Sequence, residues 1–116
     1  MTSSGRMRRV DEAMREVLSD AVQSLKDPRI GFVTVTDVET TVDLKHARVF
    51  VSVLGDATQR ELSLAGLRSA HGILQRAVAS QLRMKNTPQL DFAYDDTAER
   101  ADRLERLIAE ADASDE

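Results

Sequence analysis

The apolar residues of this chain switch between two spacings, and the order of those switches constrains the fold more than any motif does. Val10, Ala13, Met14, Val17, Leu18, Ala21, Val22 and Leu25 recur at i, i+3, i+4, i+7, the stripe of an amphipathic helix of about five turns. Asp27-Pro28 stops it, because proline disfavours helical geometry in the residue before it. Residues 30–39 are rich in β-branched and aromatic side chains and predict a strand. A polar turn, Thr40 to Asp43, leads into residues 46–54. There Ala47, Val49, Val51 and Val53 alternate with Arg48, Phe50, Ser52 and Leu54. Two adjacent strands with a short link predict an antiparallel hairpin.

Gly55-Asp56 closes the second strand, and from Thr58 the helical period returns through Leu62, Leu64, Ala65 and Leu67, then Ile73, Leu74, Ala77, Val78 and Leu82. Between the halves stands Ala70-His71-Gly72. Glycine inside a helix costs about 1 kcal/mol against alanine, so this point predicts a kink that makes two helices of one. Asn86-Thr87-Pro88 ends the second of them. Leu90, Phe92 and Tyr94 alternate with Asp91 and Ala93, a third strand. Asp96 with Glu99 three residues later reads as a capping-box start for a last, mostly polar helix through Ala98, Ala101, Leu104, Leu107 and Ile108; Ala111 to Glu116 reads as frayed. The order is α-β-β-α-α-β with a C-terminal helix: an α+β fold, helices on one face of a three-stranded sheet. The long connection into the third strand permits a parallel pairing, hence a mixed sheet. The expected division is a domain over residues 1–96 and an acidic helix and tail over 97–116.

Composition narrows the functional classes. The 116 residues contain no cysteine and two histidines, which excludes disulfides, thiolate chemistry and the usual zinc ligand sets. No apolar run is long enough to span a bilayer. The basic N-terminus lacks the apolar core of a secretory signal, so a cytoplasmic protein is expected. One Tyr and three Phe are too few for a platform that stacks single-stranded bases. The net charge of −4 conceals segregation. Residues 60–85 hold five basic side chains (Arg60, Arg68, Arg76, Arg83, Lys85) against Glu61 alone, a net of +4, while residues 86–116 hold three basic and ten acidic, a net of −7.

The α-β-β-α-α-β order with a helix-turn-helix at its centre resembles the type II KH domain, whose GXXG loop between the two helices clamps nucleic-acid backbone. Here Ala70-His71-Gly72 stands in place of that loop. With Arg9-Val10, Lys26-Asp27-Pro28-Arg29-Ile30-Gly31, Val33-Thr34-Val35-Thr36, Val38-Glu39, Asp43-Leu44, Ala47-Arg48-Val49-Phe50-Val51, Leu82-Arg83-Met84, Pro88, Leu90, Phe92 and Tyr94-Asp95, the chain is similar to the ribosome-binding factor A family over roughly Arg6 to Tyr94. That resemblance implies a bacterial assembly factor without catalytic activity, metal or cofactor. It would bind the free 30S ribosomal subunit and 16S rRNA late in maturation, and assist 5′-end processing of the rRNA and growth in the cold. Release by a ribosome-associated GTPase, a monomeric state and no membrane association are also implied. The chain departs from the family at Thr41, where serine is frequent, and at Gln75-Arg76, where an arginine often follows the kink glycine sooner.

Arginine forks suit phosphate oxygens, and Arg68, Arg76, Arg83 and Lys85 lie on or just after the kinked helix pair, Arg76 and Arg83 seven apart and so on one helical face. A solvated helix face has similar composition; the scarcity of acid and the resemblance favour rRNA contact. Arg6, Arg8 and Arg9 form a basic arm that either meets phosphate or is simply solvated. His71 and Gly72 at the kink, and Lys45 and Arg48 on the hairpin, complete the candidate RNA-binding set, while His46 beside them reads as hairpin surface. Asp91, Asp95 and Asp96 have the oxygen ligands a Mg²⁺ nuclease would need, but Asp91 alternates with Leu90 and Phe92 and so faces away from the core, while Asp95 and Asp96 are adjacent at a strand end, where one caps the following helix. A protein-interaction module docking through the first or last helix is the rival reading.

Overall fold

A computed structural model of the chain describes residues 5–114. The elements are α1 (Gly5–Gln23), β1 (Val33–Thr40), β2 (His46–Val53), α2 (Ala57–Ser69), α3 (His71–Leu82), β3 (Gln89–Tyr94) and α4 (Thr97–Ser114). The sheet order is β1-β2-β3. β1 and β2 form the antiparallel hairpin, and β3 lies parallel to β2 with His46 opposite Gln89 and Val51 opposite Tyr94. This is the α+β mixed sheet that the spacing predicts.

The core forms where the helical stripe meets the inward face of the sheet. Met14, Leu18, Leu67, Leu74, Val49, Val51 and Val78 are fully buried, with Val33, Val35, Val38, Leu90 and Phe92 around them. Each such side chain contributes about 1.5–3 kcal/mol of burial. Alternation alone would turn Asp37 inward after Val35. The hairpin register shifts between Val35 and Asp37, and this β-bulge presents Val38 to the core instead. Leu62 and Ile73, which share the helical period, are exposed, and so is Phe32, which precedes the first strand.

The segment Asp27-Pro28-Arg29-Ile30-Gly31 braces α1 to α2. The Asp27 carboxylate accepts from the Arg29 backbone N–H at 2.9 Å and pairs with the Arg29 guanidinium, which also donates to Ser69 Oγ at 3.0 Å. Gly31 N–H donates to Ser63 Oγ at 3.1 Å. A Cβ on Gly66 would lie 2.5 Å from Ile30 Cγ1, so α2 can approach this loop only with glycine there.

Helix ends differ from the sequence expectations in four places. α1 begins at Gly5, so Arg8 and Arg9 sit in its first turns rather than on an arm; the Arg6 side chain lies outside the described residues. α2 carries a capping box that the spacing analysis missed, with Asp56 and Gln59 exchanging side chain–backbone bonds. At α4 the Asp95 side chain accepts from Thr97 N–H at 2.9 Å, while Asp96 pairs with Arg100 at 3.0 Å. Glu99, expected to complete a box with Asp96, instead faces Arg60 at 3.8 Å. Finally, α4 stays helical to Ser114, through residues expected to fray; residues 115–116 lie outside the described residues.

Candidate nucleic-acid interface

The helix pair breaks at Ala70, which ends α2 and starts α3 with φ −87° and ψ 10°. Gly72 lies one residue into α3, and its φ is not in the left-handed region. The break therefore makes two helices without a clamp loop, and the glycine is not what turns the chain. A Cβ at Gly72 would rest 3.5 Å from the Arg76 guanidinium, an ordinary contact. Arg76 thus lies over the exposed first turn of α3, beside the helix N-terminus, where backbone N–H groups also favour anions.

This break faces the free edge of β3. Gln75 spans the edge by donating to Pro88 O at 2.6 Å and accepting from Leu90 N–H at 3.2 Å. Its departure from the family pattern has that structural use, and it leaves Arg76 to solvent. Arg68 donates to Phe92 O at 3.2 Å. Between these two caps runs an open groove of about 250 Å³ lined by Arg68, His71, Gln89, Leu90, Asp91 and Phe92. Nε2 of His71 is buried and has no hydrogen-bond partner among the described residues. Such a group costs about 1–3 kcal/mol, a cost that an incoming hydroxyl or amide would offset.

The remaining predicted cations are gathered by topology. β3 starts at the hairpin end because it runs parallel to β2, and Gln89 N–H donates to Lys45 O at 2.9 Å. The segment carrying Arg83 and Lys85 leads into β3 and so reaches the same end. α1 arrives there too, since Asp11 accepts from Thr40 N–H at 3.1 Å. Arg8, Arg9, Lys45, Arg83 and Lys85, all exposed, therefore share the hairpin end of the molecule. Arg83 does not continue the α3 face on which Arg76 lies. It is the helix C-cap, at φ 51° and ψ 40°, because no glycine is available to take that left-handed position. Arg48 does not line the groove and reaches it only through Asp91, one of the lining residues. It stands on the sheet face away from the helices, 3.9 Å from Asp91, an exposed pair worth little in stability. His46, next to Lys45, is exposed.

The acids have structural tasks. Asp95 accepts from Thr97 and, at 2.7 Å, from the Thr36 hydroxyl; these bonds, the Thr97 hydroxyl first, hold its carboxyl below the usual range. Asp43 is lowered similarly by the Thr41 hydroxyl, a role that the serine frequent in the family would also fill. Among the described residues no group of His, Asp or Glu is placed to hold a metal ion, and no helix is long and apolar enough to cross a membrane.

Comparison with known proteins decides the family. The profile described as Ribosome-binding factor A matches residues 6–108. The chain belongs to the ribosome-binding factor A family. A ribosome-binding factor A of Anaeromyxobacter sp. (strain K) is 50% identical over 113 residues, 96% of this chain and 82% of the relative. The crystal structure of ribosome-binding factor A from Thermus thermophilus superposes with a TM-score of 0.70 at 27% identity, covering 76% of this chain and 93% of that one. Coordinates of the Thermus thermophilus ribosome-binding factor A fitted into a cryo-electron microscopy map of its 30S complex match with a TM-score of 0.63 at 28% identity, covering 73% and 90% of the two chains. The residues of this ribosome-binding factor A family member that the sequence did not reveal are structural: Ser63 and Gly66. Small or neutral residues inside a helix carry no period or charge by which to find them.

Proposed function

We propose that this member of the ribosome-binding factor A family binds the free 30S subunit by contacting 16S rRNA, as a non-enzymatic assembly factor of the cytoplasm acting as a monomer. The observation that supports this mode is the placement of five exposed cations, Arg8, Arg9, Lys45, Arg83 and Lys85, at one end of the fold, with Arg68 and His71 along the β3 edge and Arg76 exposed over the adjoining first turn of α3. Cations so arranged release counterions from phosphate, and the unpartnered His71 suits a ribose 2′-hydroxyl, which can donate or accept. The relative fitted into the map of a 30S complex agrees with this reading. Action late in maturation, a part in 5′-end processing, support of growth in the cold and release by a ribosome-associated GTPase belong to the same proposal. The test is a titration of free small subunits with Arg76→Glu/Arg83→Glu. Binding weakened at an unchanged melting temperature is expected; unaffected binding rejects the assigned face.

A further inference from the structure

We infer that α4 is a docking helix for a basic protein on the small subunit, separate from the rRNA-contacting surface; the inference rests on the function proposed above. Leu104, Leu107 and Ile108 are 58%, 61% and 53% exposed, and with Ala101 and Ala111 they form one stripe at i, i+3, i+4, i+7. No other element covers it: every residue of α4 whose burial is described is exposed except Glu99.

The helix is held at its root. Arg60 of α2 lies 4.0 Å from the Tyr94 ring centroid and 3.8 Å from Glu99. Asp95 ties the start of α4 to Thr36 of β1. The stripe is therefore presented in a set direction from the end of β3 opposite the hairpin.

Charge selects the occupant. Arg100 and Arg106 are neutralised by Asp96 and Asp102 at 3.0 and 2.8 Å. Arg103, four residues before Leu107, has no ion pair among the described residues and borders the stripe on the side away from Glu105 and Asp112, so the unpaired charges flanking the stripe are two acids and one base. Glu105 and Asp112, each four residues after a stripe residue (Ala101 and Ile108), border the stripe on one side and have no ion pair among the described residues. Carboxylates in that place repel rRNA and suit a cationic rim around an apolar groove. A second copy fits poorly. A stable interface buries about 1,200–2,000 Å², and three large apolar side chains per copy supply little of it. Pairing would also bring two net-acidic helices together.

The test uses the full-length protein with free small subunits at low salt. Leu104→Ser/Leu107→Ser/Ile108→Ser should weaken binding about tenfold with the melting temperature held. Glu105→Lys/Asp112→Lys should also weaken it, since reversed charges would face a basic partner. A benzophenone side chain at position 108 should crosslink to a ribosomal protein. Tighter binding of the charge reversal, or a crosslink to rRNA, would show that α4 lies on nucleic acid and overturn the inference. A crosslink to a second copy, or wild-type affinity in both variants, would overturn it equally. If the wild type itself fails to bind subunits, the function proposed above falls and this inference with it; if the Arg76/Arg83 variant weakens binding but the α4 variants do not, only this inference falls.

Discussion

Gly66 and Gly72 stand six residues apart on the same helix pair and do opposite things. At Gly66 an added methyl meets Ile30 at 2.5 Å. Gly66→Ala should therefore cost about 1–3 kcal/mol through overpacking, read as a lower midpoint in thermal or urea denaturation. At Gly72 the nearest atom is the flexible end of Arg76 at 3.5 Å. Gly72→Ala should keep or raise the melting temperature, by up to about 1 kcal/mol of helix preference. If the exposed backbone there approaches rRNA, the same variant loses subunit binding, and a titration beside the melt separates the effects. Asp95 gives a pH dependence. Its folded pKa is lowered by the Thr97 and Thr36 hydroxyls. Its contribution is thus present above the unfolded carboxylate value of about 3.9 and lost as pH falls through the lower folded value. Asp95→Ala should cost about 0.5–2 kcal/mol near neutrality, as for lost caps, and the difference from wild type should shrink in acid melts. A constant difference down to the lowest pH would contradict the assignment.

At the scale of elements, what the sequence revealed followed from periodicity. The α1 stripe from Val10 to Leu25 and the alternation of Ala47, Val49, Val51 and Val53 each meet the core as expected, because burial sets those periods directly. The break at Ala70 was legible from the poor helix formers around it. What escaped were effects between elements. The bulge after Val35 is decided by pairing with β2 and by Thr36 facing Asp95. The end of α3 at Leu82, ahead of Asn86-Thr87-Pro88, is marked by the left-handed Arg83, which no helical period announces. Of the candidate site, the residue types were legible from charge segregation, but their distribution over a groove, an end and the outer sheet face needed the topology. Arg48 illustrates this: it shares a pocket on the outer sheet face with its sequence neighbour His46, but β3 places the acid Asp91 in that same pocket beside it. Arg48→Ala should accordingly affect subunit binding less than Arg76→Glu, measured in one titration series.

At the scale of the molecule, charge is polarised along the sheet. The cations of α1, the hairpin and the α3–β3 segment occupy one end, and the acidic α4 departs from the other, extending a body whose longest dimension is 60 Å. Since α4 buries almost nothing, residues 1–96 form the proposed folding unit. Truncation after Asp96 should fold cooperatively with a melting temperature near that of the whole chain; failure to fold would make Leu104, Leu107 and Ile108 part of the core. The central claim is that the basic end and the β3 edge bind rRNA phosphate. The most direct measurement is the salt dependence of binding to free small subunits, for the wild type and for Arg76→Glu/Arg83→Glu. The account predicts a linear fall of log K with log salt concentration, with a slope of about 0.7–0.9 per phosphate contact and a shallower slope for the variant. Salt-independent binding, or one slope for both proteins, would contradict it.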